Sequence, residues 1–211
     1  MKNKIIYNYF LLLFSLIPIS ILVGSGFSVS NILLIDLSFL IYMFYIKNFS
    51  FLKHESIKYL LIFYLYLIFN SFISIDSEQG IIRNFGFIRI IIFFVALNFF
   101  FNQKSFLEKT LFIWSFILLV VVFDIFFESF NGTNLLGYPK ETTTYFGNRI
   151  VSFFRDEPIV GGFVNAFYLI LIGFLLNKFG PKKSSYIFIL SMIFLISIIM
   201  TGERSNTLRA G

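Results

Sequence analysis

The chain has 211 residues, of which 58% are hydrophobic, 21% aromatic and only 13% charged, and its mean hydropathy is +0.87. No water-soluble core of this length hides so much apolar surface, so the composition excludes a soluble domain and indicates a polytopic membrane protein. Cysteine is absent and His54 is the single histidine, which excludes disulfide frameworks, thiolate sites and histidine metal clusters; the net charge of +6 has to be sorted by membrane side before it is read as a nucleic-acid signal.

In chain order, the basic start Met1 to Lys4 leads into an apolar run from Ile5 to Val23. This has the outline of a signal peptide, but no small-x-small cleavage site follows and the chain keeps returning to the membrane, so it is read as a first span. The second span runs from about Val29 to Ile46, followed by a basic loop from Lys47 to Lys58. A third occupies Tyr59 to Ile75, and a polar bend then holds Asp76, Glu78 and Arg83. The fourth, Ile88 to Phe101, is short unless it begins near Ile81, and the longer version is preferred because crossing takes about 20 helical residues. Leu111 to Phe127 is the fifth span, Pro158 to Lys178 the sixth and Tyr186 to Met200 the seventh. The expected fold is all-α: one multi-pass membrane domain over residues 1–211, with about seven spans and an extracytoplasmic loop at 128–157.

Lys2, Lys4, Lys47, Lys53, Lys58, Lys104, Lys109, Lys178, Lys182 and Lys183 fall on alternate connections, which by the positive-inside rule are cytoplasmic, as is the N-terminus. This sorting removes the nucleic-acid reading. Lys140, Arg83, Arg89, Arg149, Arg155, Arg204 and Arg209 lie on or face the other side, so every arginine is outward. A guanidinium is a permanently charged planar fork that binds phosphate in a bidentate way, so the set points to an anionic, phosphorylated partner. The alternative is that these arginines pair with acids predicted on the same side, among them Asp36, Asp76, Asp124, Glu128, Asp156, Glu157 and Glu203.

Three charges fall inside predicted spans: Asp36 in the second, Arg89 in the fourth and Asp124 near the outer end of the fifth. An ionisable group in hydrocarbon costs a few kcal/mol at least, so such groups face a polar cavity or one another. Snorkelling is the alternative for Arg89, and an interfacial position for Asp124. Gly162, Ala166 and Gly173 form a small-residue stripe on the sixth span, read as a helix-packing face. The many aromatic residues are read as lipid-facing filler and interface belt.

Three stretches resemble the bacterial O-antigen polymerase and O-antigen ligase-like membrane proteins. Asp124 near a span end is followed by Gly132-Thr133-Asn134-Leu135-Leu136-Gly137-Tyr138; Arg149-Ile150-Val151-Ser152-Phe153-Phe154-Arg155-Asp156-Glu157-Pro158 leads to Gly161-Gly162; and the last span ends in Thr201-Gly202-Glu203-Arg204-Ser205-Asn206. The resemblance implies a glycosyltransferase of the bacterial inner membrane. It would pass a glycan from an undecaprenyl-diphosphate carrier to an acceptor sugar on the periplasmic face, without a nucleotide sugar, cofactor or obligatory metal. Arg149 and Arg204 match the family's arginine positions and would stabilise the diphosphate leaving group. Asp36 or Asp156 would act as general base, with Arg89, Arg155, Asp156 and Asp124 as substrate-binding helpers. Expected partners are the lipid bilayer, the undecaprenyl-diphosphate-linked oligosaccharide and other polysaccharide-assembly proteins. Members of that family have more spans and a second large periplasmic loop, so the chain is expected to be the N-terminal part of a larger fold, inactive alone.

The rival from another class is a transporter or flippase of lipid-linked oligosaccharide or another solute, since charges at membrane depth also mark substrate pathways. A non-catalytic assembly subunit is the third reading. The predicted topology is tested by reporter fusions: those at Lys53, Lys104 and Lys182 should report cytoplasm, and those at Ser77, Thr143 and Asn206 the opposite side. A cytoplasmic signal at Thr143 would remove the basis for an outward arginine site.

Overall fold

In hydrocarbon a backbone N–H or C=O has no water to bond, so an apolar chain closes its hydrogen bonds within each segment as helix. The computed structural model describes residues 4–47, 55–139, 149–154 and 159–203. The described residues form α1 (Lys4–Ser15), α2 (Ile17–Val23), α3 (Ser25–Ile46), α4 (Glu55–Ile73), α5 (Ser77–Phe85), α6 (Ile88–Phe101), α7 (Lys104–Asn131), α8 (Val160–Phe179) and α9 (Ser184–Met200), with no strand among them.

Among the described residues, six helical runs are long and apolar enough to cross a membrane: Lys4–Val23, Ser25–Ile46, Glu55–Ile73, Ser77–Phe101, Lys104–Asn131 and Val160–Phe179. The protein is therefore an all-α, membrane-spanning chain. The seventh predicted span corresponds to α9, whose 17 residues extend about 26 Å, slightly under the ~30 Å hydrocarbon thickness. Pro18 explains the break between α1 and α2, because its nitrogen cannot donate to the Phe14 carbonyl. The fourth span takes its longer form: it begins at Ser77, where the Asp76 carboxylate caps α5 by accepting from the Gln79 N–H at 3.3 Å, so Glu78 and Arg83 lie in helix rather than in a bend.

The chain divides into two compact units, Met1–Ile17 with Ser25–Thr110, and Pro18–Gly24 with Leu111–Gly211. The core of the first is aromatic. Phe10, Phe14, Phe39, Phe100 and Phe106 are each at most 1% exposed, with ring centroids 4.3 Å apart for Phe10 and Phe100, 5.1 Å for Phe100 and Phe106, and 5.7 Å for Phe14 and Phe106. Part of the aromatic content is thus core rather than the lipid-facing filler expected above; the rest, such as Phe27, Phe44 and Phe69, is exposed. Polar side chains tie neighbouring helices. The Tyr9 hydroxyl and Ser38 Oγ are 2.8 Å apart between α1 and α3, and Asn84 Nδ2 of α5 donates to Ser71 Oγ of α4 at 2.6 Å and to the Leu67 carbonyl at 3.1 Å. Such bonds are each of the order of 1 kcal/mol in a membrane.

Lys109 Nζ of α7 lies 5.2 Å from the Tyr7 ring centroid on α1, and Tyr42, near the end of α3, packs on Phe99 and Phe100 at the end of α6. The second unit is built on a stripe of α7, Leu111, Trp114, Leu118, Val121, Val122 and Ile125, all buried, at helical i, i+3, i+4 spacing. Trp114 meets Phe167 of α8 at 5.3 Å, and Tyr168 of α8 meets Phe194 of α9 at 6.1 Å. The packing face of α8 is Val160, Gly161, Val164, Phe167, Tyr168 and Leu171. The stripe expected at Gly162, Ala166 and Gly173 is not that face: Ala166 is exposed, and a Cβ placed on Gly173 would meet nothing within 4 Å.

The aromatic core generates a stability expectation. Phe100→Ala should cost of the order of 3 kcal/mol and lower the temperature at which the detergent-solubilised protein loses its monodisperse elution peak. Phe44→Ala, at a position 68% exposed, should leave that temperature nearly unchanged. Equal effects would show that the cluster does not hold the first unit.

Candidate functional site

The buried stripe of α7 does not stop at Ile125. Asp124 and Glu128, four residues apart and therefore on one face, carry it into the last turns of the helix, and both are 0% exposed. Two carboxylates this deep are tolerated only if donors surround them. The loop supplies those donors: Asp124 Oδ1 accepts from the Leu135 N–H at 2.7 Å and Oδ2 from the Ser152 hydroxyl at 2.5 Å, while Glu128 Oε1 accepts from the Val151 N–H at 3.1 Å and Oε2 from the Ser152 N–H at 2.6 Å. Hydrogen bonds to a charged group contribute about 1.5–3 kcal/mol each. Their sum offsets the strain at Ser152, which holds a left-handed φ of +50° without being glycine.

Asn134 closes the same loop from the other side. Its Oδ1 accepts from the Leu136 and Tyr138 N–H groups at 3.0 and 2.8 Å, the side-chain version of a turn. Its Nδ2 donates to the Ser152 carbonyl at 2.5 Å. Just beyond, the 3₁₀ turn Ser152–Phe154 seats Phe154 on Phe163 of α8, ring centroids 5.5 Å apart. The described parts of the loop, 132–139 and 149–154, are thus anchored to the helices rather than loose in water; Tyr145 and Phe146 lie outside the described residues.

The N-terminus of α8 has no side-chain cap from its own N-cap residue, Ile159. Glu203, just past α9, provides one: its Oε1 accepts from the Gly161 N–H at 2.7 Å, a negative charge where the helix dipole favours it. Only glycine fits at 161, since a Cβ there would lie 2.6 Å from Thr201 Oγ1 and 3.0 Å from Glu203 Oε1. The intervening Gly202 has φ +76°, which turns the chain back after α9 so that Glu203 can reach α8. Arg149 joins this turn: its Cγ lies 3.7 Å from where a Gly202 Cβ would stand, so the arginine stem runs alongside the glycine. Arg149 is half-buried.

Of the residues singled out from the sequence, Asp124 and Arg149 belong to this arrangement in the second unit. Asp36 and Arg89 belong to the first unit. Asp36 is midway along α3, 3% exposed, and its carboxylate oxygens have no hydrogen-bond partner among the described residues; Arg89 is exposed on α6. Arg155, Asp156 and Arg204 lie outside the described residues, although Arg204 directly follows Glu203. Sequence reasoning did not single out Glu128, Ser152, Asn134, Gly161, Thr201 or Glu203 as site residues. The signal for Glu128 was present in its i, i+4 spacing from Asp124 at the end of an apolar helix. No group of three or more metal-ligating side chains occurs among the described residues. No protein-family model matches the chain, and neither a curated protein nor a solved structure matches it.

The contact at Gly161 has a measurable consequence. Gly161→Ala must displace Thr201 or Glu203 and should destabilise the protein by about 1–3 kcal/mol, read as a lower melting temperature in detergent. Gly173→Ala, with open space around it, should be neutral or slightly stabilising through helix propensity. The reverse order would mean that α8 packs through the Gly162–Gly173 stripe after all.

Proposed function

We propose that this chain belongs to a membrane glycosyltransferase of the O-antigen polymerase or ligase kind, transferring a glycan from an undecaprenyl-diphosphate carrier to an acceptor sugar at the periplasmic face of a bacterial inner membrane. The observation that carries the reading is that the three stretches of resemblance, far apart in sequence, meet at one end of the second unit. Asp124 binds the Leu135 N–H of the first stretch and the Ser152 hydroxyl of the second. Arg149 of the second runs beside Gly202 of the third, and Glu203 of the third caps α8 at Gly161.

In this reaction the acceptor hydroxyl attacks the anomeric carbon of the donor sugar. The bond from that carbon to the diphosphate oxygen breaks, and undecaprenyl diphosphate leaves with the added negative charge. Guanidinium groups held at the membrane surface stabilise that charge as it develops, because their orientation costs no reorganisation at the moment of reaction. Arg149 and Arg204 take this role, with Arg155 as helper and the Asp156 carboxylate accepting the hydroxyl proton. Asp124 serves by holding the loop that carries Arg149.

A second reading, a transporter or flippase of lipid-linked oligosaccharide, is favoured by Asp36, a buried carboxylate without a hydrogen-bond partner among the described residues, midway along a span. The two readings separate on arginine chemistry. Arg149→Lys and Arg204→Lys preserve charge but lose the bidentate fork, and each should reduce glycan transfer in cells about a hundredfold or more at unchanged protein level. Wild-type polymer length or ligation in both variants would sink the glycosyltransferase proposal. Normal transfer in these variants together with lost lipid-linked glycan translocation in Asp36→Asn would establish the transporter.

A further inference from the structure

Ser152 is fully buried, and each of its polar atoms is engaged: N–H to Glu128, hydroxyl to Asp124, carbonyl to Asn134. It sits in a backbone region that favours glycine. If conformation alone mattered, glycine would serve better, so the serine is explained by its hydroxyl. The residues between this pin and Arg149 are locked as well. Ile150 and Val151 are 3% and 0% exposed, and the Val151 N–H is bonded to Glu128. Three residues of chain span at most about 10 Å, so the pin restrains the Arg149 backbone, and the start of its side chain lies beside Gly202. The backbone leading into Arg149 is thereby held.

We infer that Ser152, held by Asp124, Glu128 and Asn134, is a positioning residue that orients the Arg149 guanidinium toward a diphosphate. This deepens the glycosyltransferase reading and rests on it. The pin touches no substrate; it acts through Arg149. A displacement of about 1 Å at a positioned charged group can cost a hundredfold, so loss of a single buried hydroxyl is expected to be felt at the anion.

The test is a double-mutant cycle on the protein in lipid nanodiscs, with farnesyl diphosphate as the probe and farnesol as the uncharged control. The wild type should bind the diphosphate and not the alcohol, and Arg149→Ala should weaken that binding. Ser152→Ala and Ser152→Gly should each weaken it about tenfold with Arg149 present and cause no further loss in the Arg149→Ala background, the coupling expected of residues acting as one unit. Ser152→Gly relieves the backbone strain, so a fall in binding there cannot be a folding effect of strain. In parallel, tryptic cleavage of the Arg149–Ile150 bond should be slow in the wild type and accelerated at least tenfold in both Ser152 variants. Losses that add to that of Arg149→Ala, or unchanged cleavage at this bond, overturn the positioning role while leaving the diphosphate reading intact. A wild-type protein that does not bind farnesyl diphosphate, or binds farnesol equally, overturns the diphosphate reading and the positioning role with it.

Discussion

The second unit depends on the neutralisation of two carboxylates by a loop. Asp124 and Glu128 project from the core-facing side of α7, where water is excluded, and an unpartnered charge at such a site would cost several kcal/mol. The chain between α7 and α8 resolves this by folding back and presenting the Leu135, Val151 and Ser152 N–H groups and the Ser152 hydroxyl. The same bonds satisfy backbone donors that an irregular segment near a membrane could not leave bare. Helix and loop therefore need each other: the carboxylates are intolerable without the loop, and the described parts of the loop take their shape from the carboxylates.

A similar reciprocity joins α8 and α9. The first N–H groups of a helix have no partner within it, and Ile159 offers none from its side chain. Glu203 fills that place from beyond the end of α9, which requires the positive φ of Gly202 and the missing side chain of Gly161. The stem of Arg149 runs beside Gly202 in this junction.

The first unit is held by different means. Lipid tails are as apolar as leucine, so helices in a bilayer gain little from hiding hydrophobic surface and associate through close packing and interhelical hydrogen bonds. Interlocked rings such as Phe10 on Phe100 provide the packing, and the Tyr9–Ser38 and Asn84–Ser71 pairs provide the bonds. Asp36 stands apart from that economy of contacts. It is buried and its oxygens have no hydrogen-bond partner among the described residues, so it marks a place where packing has given way to some other requirement.

The helices, their order and their approximate limits were legible in the sequence, because hydrocarbon allows an apolar stretch of about 20 residues little choice but helix. That Asp124 is a charge near the end of a span was legible as well, whereas Arg149 stood out only through the resemblance carried by its stretch. Which face of each helix packs was not legible: α8 is apolar nearly all round, so Gly162–Gly173 and Gly161–Leu171 were equally good stripes until Thr201 and Glu203 came against Gly161. The same holds for the phenylalanines, since a ring in the core and a ring in lipid have the same local sequence. Glu128, Ser152 and Glu203 looked like ordinary interfacial polar residues, because their roles lie in hydrogen bonds to groups 23, 28 and 42 residues away. No periodicity encodes such distant partners; only the tertiary fold, by bringing two helix ends and a loop into one water-poor place, decides them.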